Sequence, residues 1–239
     1  MCAGRCADAG CRPRVGVHFR TFGLSHFRTQ MQVLILGATG GTGRELVKQA
    51  LGHGHSVRVM ARDPDKVKSV HPRLEVVKGD IADTTALTAA AKGQEAVLSA
   101  LGVNERKPNT ILSEGVRNLV RAMKRQKVKR LIFVSSLGVG DSKGQLGPVY
   151  NWVVMPALLK NIFADKELAE AAIRESNLEW TIVRPGSLSN KLLTNRYRAG
   201  PDAAKKRWFP RVGRADLADF MLDALEHRRF VREAPGICY

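Results

Sequence analysis

The sequence predicts an α/β fold, a single domain built on a doubly wound, mostly parallel sheet. Three observations predict it. Short apolar, β-branched runs recur along the chain, amphipathic stretches lie between them, and the apolar runs are too continuous for strands with one solvated face. Strands covered on both faces and joined by helices form a parallel sheet with helices on either side, which is the Rossmann fold.

Each element follows from this alternation. The predicted strands are 33–36, 57–60, 74–77, 96–101, 131–134 and 180–183, and the predicted helices are 43–51, 84–92, 109–125, 164–175 and 216–226. Asp83 is an expected N-cap, as is Asn109 or Thr110. Two long irregular segments, 137–161 and 187–212, follow strand ends, where doubly wound folds hold their ligands. We expect them to form the substrate loops of one domain spanning 31–239.

Composition limits the class of protein. The 239 residues are 44% hydrophobic and 26% charged, which suits one globular domain that buries its core unaided. No apolar run is long enough to cross a bilayer, and we interpret the longest one outside the sheet, 152–159, as core or pocket wall. The net charge of +17 attracts anions, whether phosphates, carboxylates, acidic surfaces or nucleic acid. The lack of a membrane-spanning run disfavours a membrane partner, and the charge leaves the kind of anion open.

Residues 1–30 form a basic N-terminal extension with five Arg and one Asp. An Arg-rich, acid-poor stretch without a secretory apolar core resembles an organelle transit peptide. We favour a disordered extension, or sequence upstream of a start at Met31. Cys2, Cys6 and Cys11 fit no common zinc spacing, so no metal site is predicted, and the interior is expected to hold no cysteine. This usage favours a reducing, cytoplasmic location.

A glycine-rich turn, Gly37-Ala38-Thr39-Gly40-Gly41-Thr42-Gly43, follows the first strand and opens a helix. Gly37 permits the tight turn, Gly40 lets backbone amides approach a diphosphate, and Gly43 lets the helix pack on the strand. The helix N-terminus offers free N–H groups, and Thr39 and Thr42 add hydroxyl donors. The order strand, turn, helix and second strand favours a dinucleotide site over a merely flexible turn.

The end of the second strand bears on the choice of dinucleotide. An acid at this position holds the ribose 2′-hydroxyl of NADH, whereas an Arg meets the 2′-phosphate of NADPH. Here Arg62 comes first and Lys66 follows, although Asp63 could turn toward the ribose. A guanidinium matches phosphate geometry, so NADPH is predicted over NADH, with a solvated surface role as the alternative for Arg62.

Two further strand ends contribute candidates. Asp80 and Ile81 end the third strand, where adenine usually lies, and Leu101 and Gly102 end the fourth, beneath the cofactor ribose. Ordinary turn chemistry is the alternative for both pairs.

These residues resemble the atypical short-chain dehydrogenases, and most closely their biliverdin reductase B and flavin reductase-like branch, with NmrA-like proteins next. The resemblance extends over 31–225 and is carried by GATGGTG, Arg62-Asp63, and the runs 76–80, 113–124, 133–136, 173–178 and 181–186. It implies hydride transfer from NADPH to a flavin or a linear tetrapyrrole. It also implies that 39–42 hold the diphosphate, and that Ser135, Ser136 and Pro185 lie near the nicotinamide.

The sequence departs from this family at its catalytic positions. The Tyr of the usual Tyr/Lys pair is missing four residues before Lys166, and Lys166 and Ser187 stand where biliverdin reductase B carries His. Reduction of a flavin or quinone needs less acid–base help than reduction of a ketone. Ser136 is a candidate hydrogen-bond donor and Lys166 a candidate stabiliser of negative charge. The alternatives are a turn serine and a solvated helix face, and we favour the latter for Lys166.

Two functions fit these features. The first is an NADPH-dependent reductase of a planar, anionic small-molecule acceptor, and the second is a non-catalytic NADP(H) sensor of the NmrA-like type with a protein partner. The basic, aromatic run 205–211 suits a flavin phosphate, tetrapyrrole propionates or a nucleic-acid backbone. No recognition motif accompanies the charge, so nucleic acid is the least favoured partner.

Overall fold

The computed structural model describes residues 30–102, 110–143, 160–204 and 209–239. Its strands are β1 (Gln32–Leu36), β2 (Ser56–Ala61), β3 (Leu74–Lys78), β4 (Ala96–Ser99), β5 (Arg130–Val134), β6 (Glu179–Pro185), β7 (Ser187–Ser189), β8 (Arg198–Gly200), β9 (Arg211–Gly213) and β10 (Gly236–Cys238). Its helices are α1 (Gly41–Gly52), α2 (Thr84–Ala91), α3 (Ile111–Arg125), α4 (Lys160–Arg174) and α5 (Arg214–Glu226).

The main sheet has the strand order β3-β2-β1-β4-β5-β6-β10-β8. All of its pairs are parallel except the pair of β10 with β8. The chain reverses its direction across the sheet between β1 and β4, and a ligand crevice opens at such a switch point, outside the carboxyl ends of the strands. The predicted doubly wound, mostly parallel sheet is confirmed, and this switch point locates the site.

Helices cover both faces of the sheet. Helices α1 and α5 pack together on one face, and α2, α3 and α4 pack side by side on the other. Strand β1 shows how the sequence supplies both cores. Val33 and Ile35 belong to the core beneath α1 and α5, whereas Leu34 and Leu36 belong to the core beneath α2–α4. Successive side chains point to opposite faces of a strand, so an unbroken apolar run is what a doubly covered strand requires.

One predicted strand departs from that rule. Strand β3 lies at the edge of the sheet, and its five residues are half-buried or exposed rather than covered on both faces. Glu75 in β3 forms a 2.7 Å ion pair with Arg58 of β2, on the solvated side. The prediction of two covered faces is therefore wrong for this strand, because an edge position leaves charged side chains in water.

The predicted irregular segment 187–212 contains regular structure. Strand β7 pairs with β9 in a small two-stranded sheet, and β8 pairs with β10 at the end of the main sheet. Cys238 in β10 is fully buried, and its thiol donates to the carbonyl oxygen of Ala203, so the expectation of an interior without cysteine is wrong. Strands this short contain too few residues to show a hydrophobic period.

One predicted N-cap is confirmed, and the N-terminus of α3 is capped differently from the prediction. Asp83 accepts hydrogen bonds from the backbone N–H groups of Thr85 and Ala86 and caps α2 as predicted. Thr110 precedes α3 but forms no side-chain cap. Instead the buried carboxylate of Asp165, from α4, accepts from the N–H groups of the second and third residues of α3, at 2.9 and 3.0 Å. The cap of α3 is thus supplied by a neighbouring helix of the same chain, and it holds α4 against α3.

Several predictions concern residues outside the described ranges. They are the extension 1–29 with its three cysteines, Asn109 as a cap, the apolar stretch 152–159 with most of the first substrate loop, and the basic residues 205–208. Within the described ranges, no helix has both the length and the hydropathy needed to cross a membrane.

Candidate cofactor and catalytic site

The glycine turn is shaped by close backbone approaches. Gly37 has φ +79°, and a Cβ there would lie 2.6 Å from the carbonyl oxygen of Ala100. A Cβ at Gly43 would lie 2.1 Å from the carbonyl oxygen of Gly37. Both distances are far shorter than a side chain allows. Gly37 therefore lets the glycine-rich turn pack against the end of β4, and Gly43 lets the start of α1 pack against that turn.

The N-terminus of α1 is open to an anion. Gly40 is its N-cap residue, no side chain caps the helix, and its first turn contains no acid. Thr42 is buried against the turn, and Thr39 is half-buried beside it. Free N–H groups and the positive end of the helix dipole therefore face the site with no capping side chain and no first-turn acid to neutralise them. These residues fit the diphosphate of a dinucleotide, as the sequence predicts.

The end of β2 presents one exposed guanidinium. Arg62 is 84% exposed, and its Nε lies 3.9 Å from Asp80 Oδ2, at the limit of an ion pair. Asp63 instead approaches Lys66 at 3.1 Å, and the hydrogen bond from Lys66 lowers the pKa of Asp63. The Asp63 carboxylate is thus turned toward Lys66, which disfavours its predicted alternative role at a ribose. The guanidinium of Arg62 keeps its donors accessible to a phosphate.

The predicted adenine wall is held by α3. Asp80 accepts from the N–H of Ala82, and Ile81 packs against Gly115, where a Cβ would lie 2.6 Å from the Ile81 side chain. Asn118 of α3 donates to the carbonyl oxygens of both Ile81 and Ala82. Gly115 and Asn118 were missed by the sequence analysis, although a glycine inside a helix is itself a signal of close packing.

The ends of β4 and β5 lie next to the glycine turn. Leu101 and Gly102 follow Ala100, which contacts Gly37 and donates to the carbonyl oxygen of Leu36. Ser99 and Ser135 are buried, and within the described residues their hydroxyl oxygens have no hydrogen-bond partner. Buried hydroxyls without partners are uncommon, and these two lie beneath the surface of this edge rather than on it.

Ser136 and Lys166 meet at this edge, although they are far apart in sequence. Lys166 Nζ donates to Ser136 Oγ at 3.0 Å and approaches the carbonyl oxygen of Ser135 at 3.3 Å. Desolvation by burial lowers the pKa of Lys166 to about 8, and the charge of Glu170 partly opposes that shift. The alternative of a solvated helix face is wrong for Lys166, because its ammonium donates to Ser136 and Ser135, the residues directly after β5.

A buried ion pair holds α4 in this position. Arg184 of β6 donates from Nε and Nη2 to the carboxylate of Glu170, one turn beyond Lys166, and both side chains are almost fully buried. Arg184 also donates to Asp141 at 2.6 Å, and this hydrogen bond lowers the pKa of Asp141. Glu170 is therefore engaged by Arg184 rather than by Lys166, whose ammonium has a hydroxyl and a carbonyl as its hydrogen-bond partners.

The far wall of the site begins after β6. Pro185 is buried, and its carbonyl oxygen accepts from the N–H of Leu137, so β6 and the loop after β5 stay together. Ser187 is exposed beyond it. Large apolar side chains are also exposed on this second loop, namely Leu188, Leu192, Leu193 and Phe209. Exposed apolar groups on a loop that follows the carboxyl end of a sheet strand suit a planar, conjugated ligand.

A further polar cluster lies outside this crevice. His53 and His55 approach Glu226 Oε1 at 2.6 and 3.0 Å, a grouping that could hold a metal ion. The N–H of Met31 donates to His55 Nδ1, which leaves the proton of His55 on Nε2, pointing at Glu226. Hydrogen bonds explain the cluster, and we assign it a role in joining β1 to α5.

The fold and the shape of its first strand–turn–helix unit define a dinucleotide-binding protein. The chain belongs to the family described as NAD(P)H-binding, whose sequence profile matches residues 37–228. The match spans the glycine turn and almost every residue that follows it, and it supports a nicotinamide dinucleotide without distinguishing NADPH from NADH.

One sequence relative and two solved structures are similar to the chain. An uncharacterized chloroplastic protein of Arabidopsis thaliana, At2g34460, is 34% identical over 174 residues, which cover 66% of this chain and 60% of that protein. A Rossmann-fold NAD(P)-binding protein from Shigella flexneri is 28% identical with a TM-score of 0.66, covering 87% of this chain and 93% of that one. ChuY, an anaerobillin reductase from Escherichia coli O157:H7, has a TM-score of 0.73 at 22% identity, covering 87% and 96%.

Proposed function

We propose that the protein is an NADPH-dependent reductase that transfers hydride to a planar, anionic, conjugated acceptor such as a flavin or a linear tetrapyrrole. The contact between Lys166 and Ser136, at the sheet edge that also carries the glycine turn, supports this proposal most directly. It provides a proton donor where the Tyr of the usual Tyr/Lys pair is missing, since Ile162 stands four residues before Lys166. Tyr150 lies outside the described residues.

The chain's residues have distinct tasks in this mechanism. When bound, NADPH supplies the hydride. The N–H groups at the start of α1 hold its diphosphate, and the walls formed by Ile81 and Leu101 orient it, so catalysis is chiefly positioning. The ammonium of Lys166 stabilises negative charge on the acceptor and gives one proton to the reduced nitrogen or oxygen. Ser136 holds that ammonium in place, and solvent returns the proton to Lys166.

The acceptor class is argued from charge and shape. The residues after the extension contribute +13 of the net charge of +17, because residues 1–30 hold five Arg and one Asp. Such a field favours an anion, and the exposed leucines of the second loop favour an apolar ring system. The resemblance to biliverdin reductase B and the structural similarity to ChuY both favour a tetrapyrrole.

Measuring NADPH oxidation tests the proposal. Loss of NADPH absorbance would be followed with FMN, biliverdin and a simple quinone added in turn, each with a no-enzyme control. We expect acceptor-dependent turnover with at least one of them and none without an acceptor. Tight NADPH binding with no turnover on any acceptor would contradict the reductase and favour the NADP(H) sensor with a protein partner.

Arg62 is expected to select NADPH over NADH. Charge-assisted hydrogen bonds contribute about 1.5–3 kcal/mol, so Arg62→Gln should weaken NADPH binding by roughly 10-fold or more. NADH binding should not change, because NADH has no 2′-phosphate. Titration calorimetry with both cofactors would measure this, with the exposed Lys68→Gln as a control for lost charge. Equal losses for NADH and NADPH would contradict the assignment.

The cellular location of the protein is also proposed. The cysteine usage favours the cytoplasm, whereas the chloroplastic Arabidopsis relative supports organelle targeting by residues 1–30 as the alternative.

A further inference from the structure

An arginine from outside the glycine-rich motif lies against the first residue of α1. A Cβ at Gly41 would lie 2.7 Å from Arg214 Cδ and 2.8 Å from Arg214 Nε. Arg214 is the first residue of α5, and α5 packs beside α1 on the same face of the sheet. The absence of a side chain at Gly41 is therefore what allows this arginine to approach the N-terminus of α1.

Arg214 occupies a position that is unfavourable for its own helix. A cation in the first turn opposes the positive end of the helix dipole. The acid of that turn, Asp216, accepts from Thr194, Asn195 and Tyr239 and makes no ion pair with Arg214. Across the described ranges, no carboxylate forms an ion pair with Arg214, and its Nη1 donates to the amide oxygen of Asn190 at 2.6 Å.

The N-terminus of α1 and the guanidinium of Arg214 thus lie together, and within the described ranges neither has an acidic side chain as a capping or ion-pair partner. Residues that break a local rule mark functional sites, and the ligand this arrangement favours is an anion of two or more charges. A guanidinium, which is planar and carries five donors, can bind two phosphate oxygens at once while leaving one N–H for Asn190.

We propose that Arg214 is a second cationic ligand of the cofactor's diphosphate, delivered by α5 and oriented by Asn190. The inference rests on the proposed dinucleotide cofactor. It also connects the cofactor to the second loop, because Asn190 directly follows β7 and lies beside the exposed Leu188 and Leu192. A bound diphosphate would fix the arginine that anchors this wall of the acceptor site.

The test separates the two ends of the cofactor. Titration calorimetry would compare NADP⁺, ADP-ribose, which has the diphosphate without the 2′-phosphate, and 2′-AMP, which has the 2′-phosphate without the diphosphate. Arg214→Gln should weaken NADP⁺ and ADP-ribose by about 10- to 100-fold and leave 2′-AMP unchanged. The control is Arg125→Gln, which removes the same charge from an exposed position at the C-terminus of α3.

A second variant tests the placement without removing the charge. Gly41→Ala should displace Arg214 and weaken the binding of NADP⁺ and ADP-ribose. The same substitution should weaken their binding less in a protein that already carries Arg214→Gln. Equal binding of ADP-ribose by the Arg214→Gln variant and the parent, or strictly additive losses in the double variant, would overturn the inference. Failure of the parent protein to bind NADP⁺ would instead overturn the proposed function, so the two failures are distinguishable.

Discussion

Replacing Lys166 by methionine is expected to slow acceptor-dependent NADPH oxidation by about 100- to 10,000-fold, the usual contribution of a positioned acid or base. The NADPH dissociation constant should stay nearly the same, because the glycine turn and Arg62 are unchanged. Stability should not fall either. Burial places the pKa of Lys166 at about 8, below its ordinary value of 10.5. The folded state is therefore penalised for carrying this ammonium at neutral pH, and methionine removes that penalty.

The pH dependence gives an independent check of the same role. A lysine that donates a proton must be charged, so turnover should be full below the pKa and decline as pH rises through about 8. Arg at position 166 stays protonated, and Lys166→Arg should remove the decline even if its rate is lower. Turnover that rises through pH 8 would contradict the role as proton donor.

Matched variants separate chemistry from position. Ser136→Ala removes the hydroxyl that holds the ammonium and should reduce turnover about 10-fold, as expected for one hydrogen bond. Lys129→Met removes an exposed lysine and should change nothing. If Lys166→Met retained full turnover with every acceptor, Lys166 would have no place in the mechanism.

Gly43→Ala is expected to weaken NADPH binding by about 100-fold or more. The added methyl group would lie 2.1 Å from the carbonyl oxygen of Gly37, a backbone atom that cannot rotate away. Helix α1 must move from the turn, and a displacement of about 1 Å at a binding site can reduce its function about 100-fold. Calorimetric titration with NADPH would measure the loss, and thermal unfolding would measure the accompanying strain.

The same helix offers the control. At Gly52, the last residue of α1, an added Cβ would meet nothing within 4 Å. Alanine is favoured over glycine inside a helix by up to about 1 kcal/mol, so Gly52→Ala should leave affinity unchanged and stability equal or higher. A loss of binding in Gly52→Ala as large as that in Gly43→Ala would contradict the steric explanation.

The predictable features of this protein are local ones. The glycine turn is formed by consecutive residues, Arg62 directly follows β2, and the parallel sheet follows from apolar runs such as β1. Sequence reasoning is adequate there because backbone conformation and strand periodicity are properties of short segments.

The features that escaped prediction join distant residues. Lys166 reaches Ser136 across 30 positions, Asp165 caps a helix that begins 54 residues earlier, and Arg214 meets a turn from the other end of the chain. Asp165 and Lys166 are adjacent in one polar stretch of the sequence, but only the packing of α4 against α3 buries Asp165, and only the fold brings Lys166 to the residues that follow β5. Such contacts depend on tertiary packing, which local propensity does not contain.

The second loop is attached to the domain along much of its described length. Strand β7 pairs with β9, Thr194 and Asn195 donate to Asp216, Tyr197 donates to Asp219, and β8 pairs with β10. The conformational entropy of residues 187–200 is therefore lost when the protein folds and not when a ligand arrives. Binding of an acceptor therefore requires little ordering of the second loop, and the affinity for the acceptor depends on contacts and desolvation. The association rate of the acceptor should approach that of a preorganised pocket.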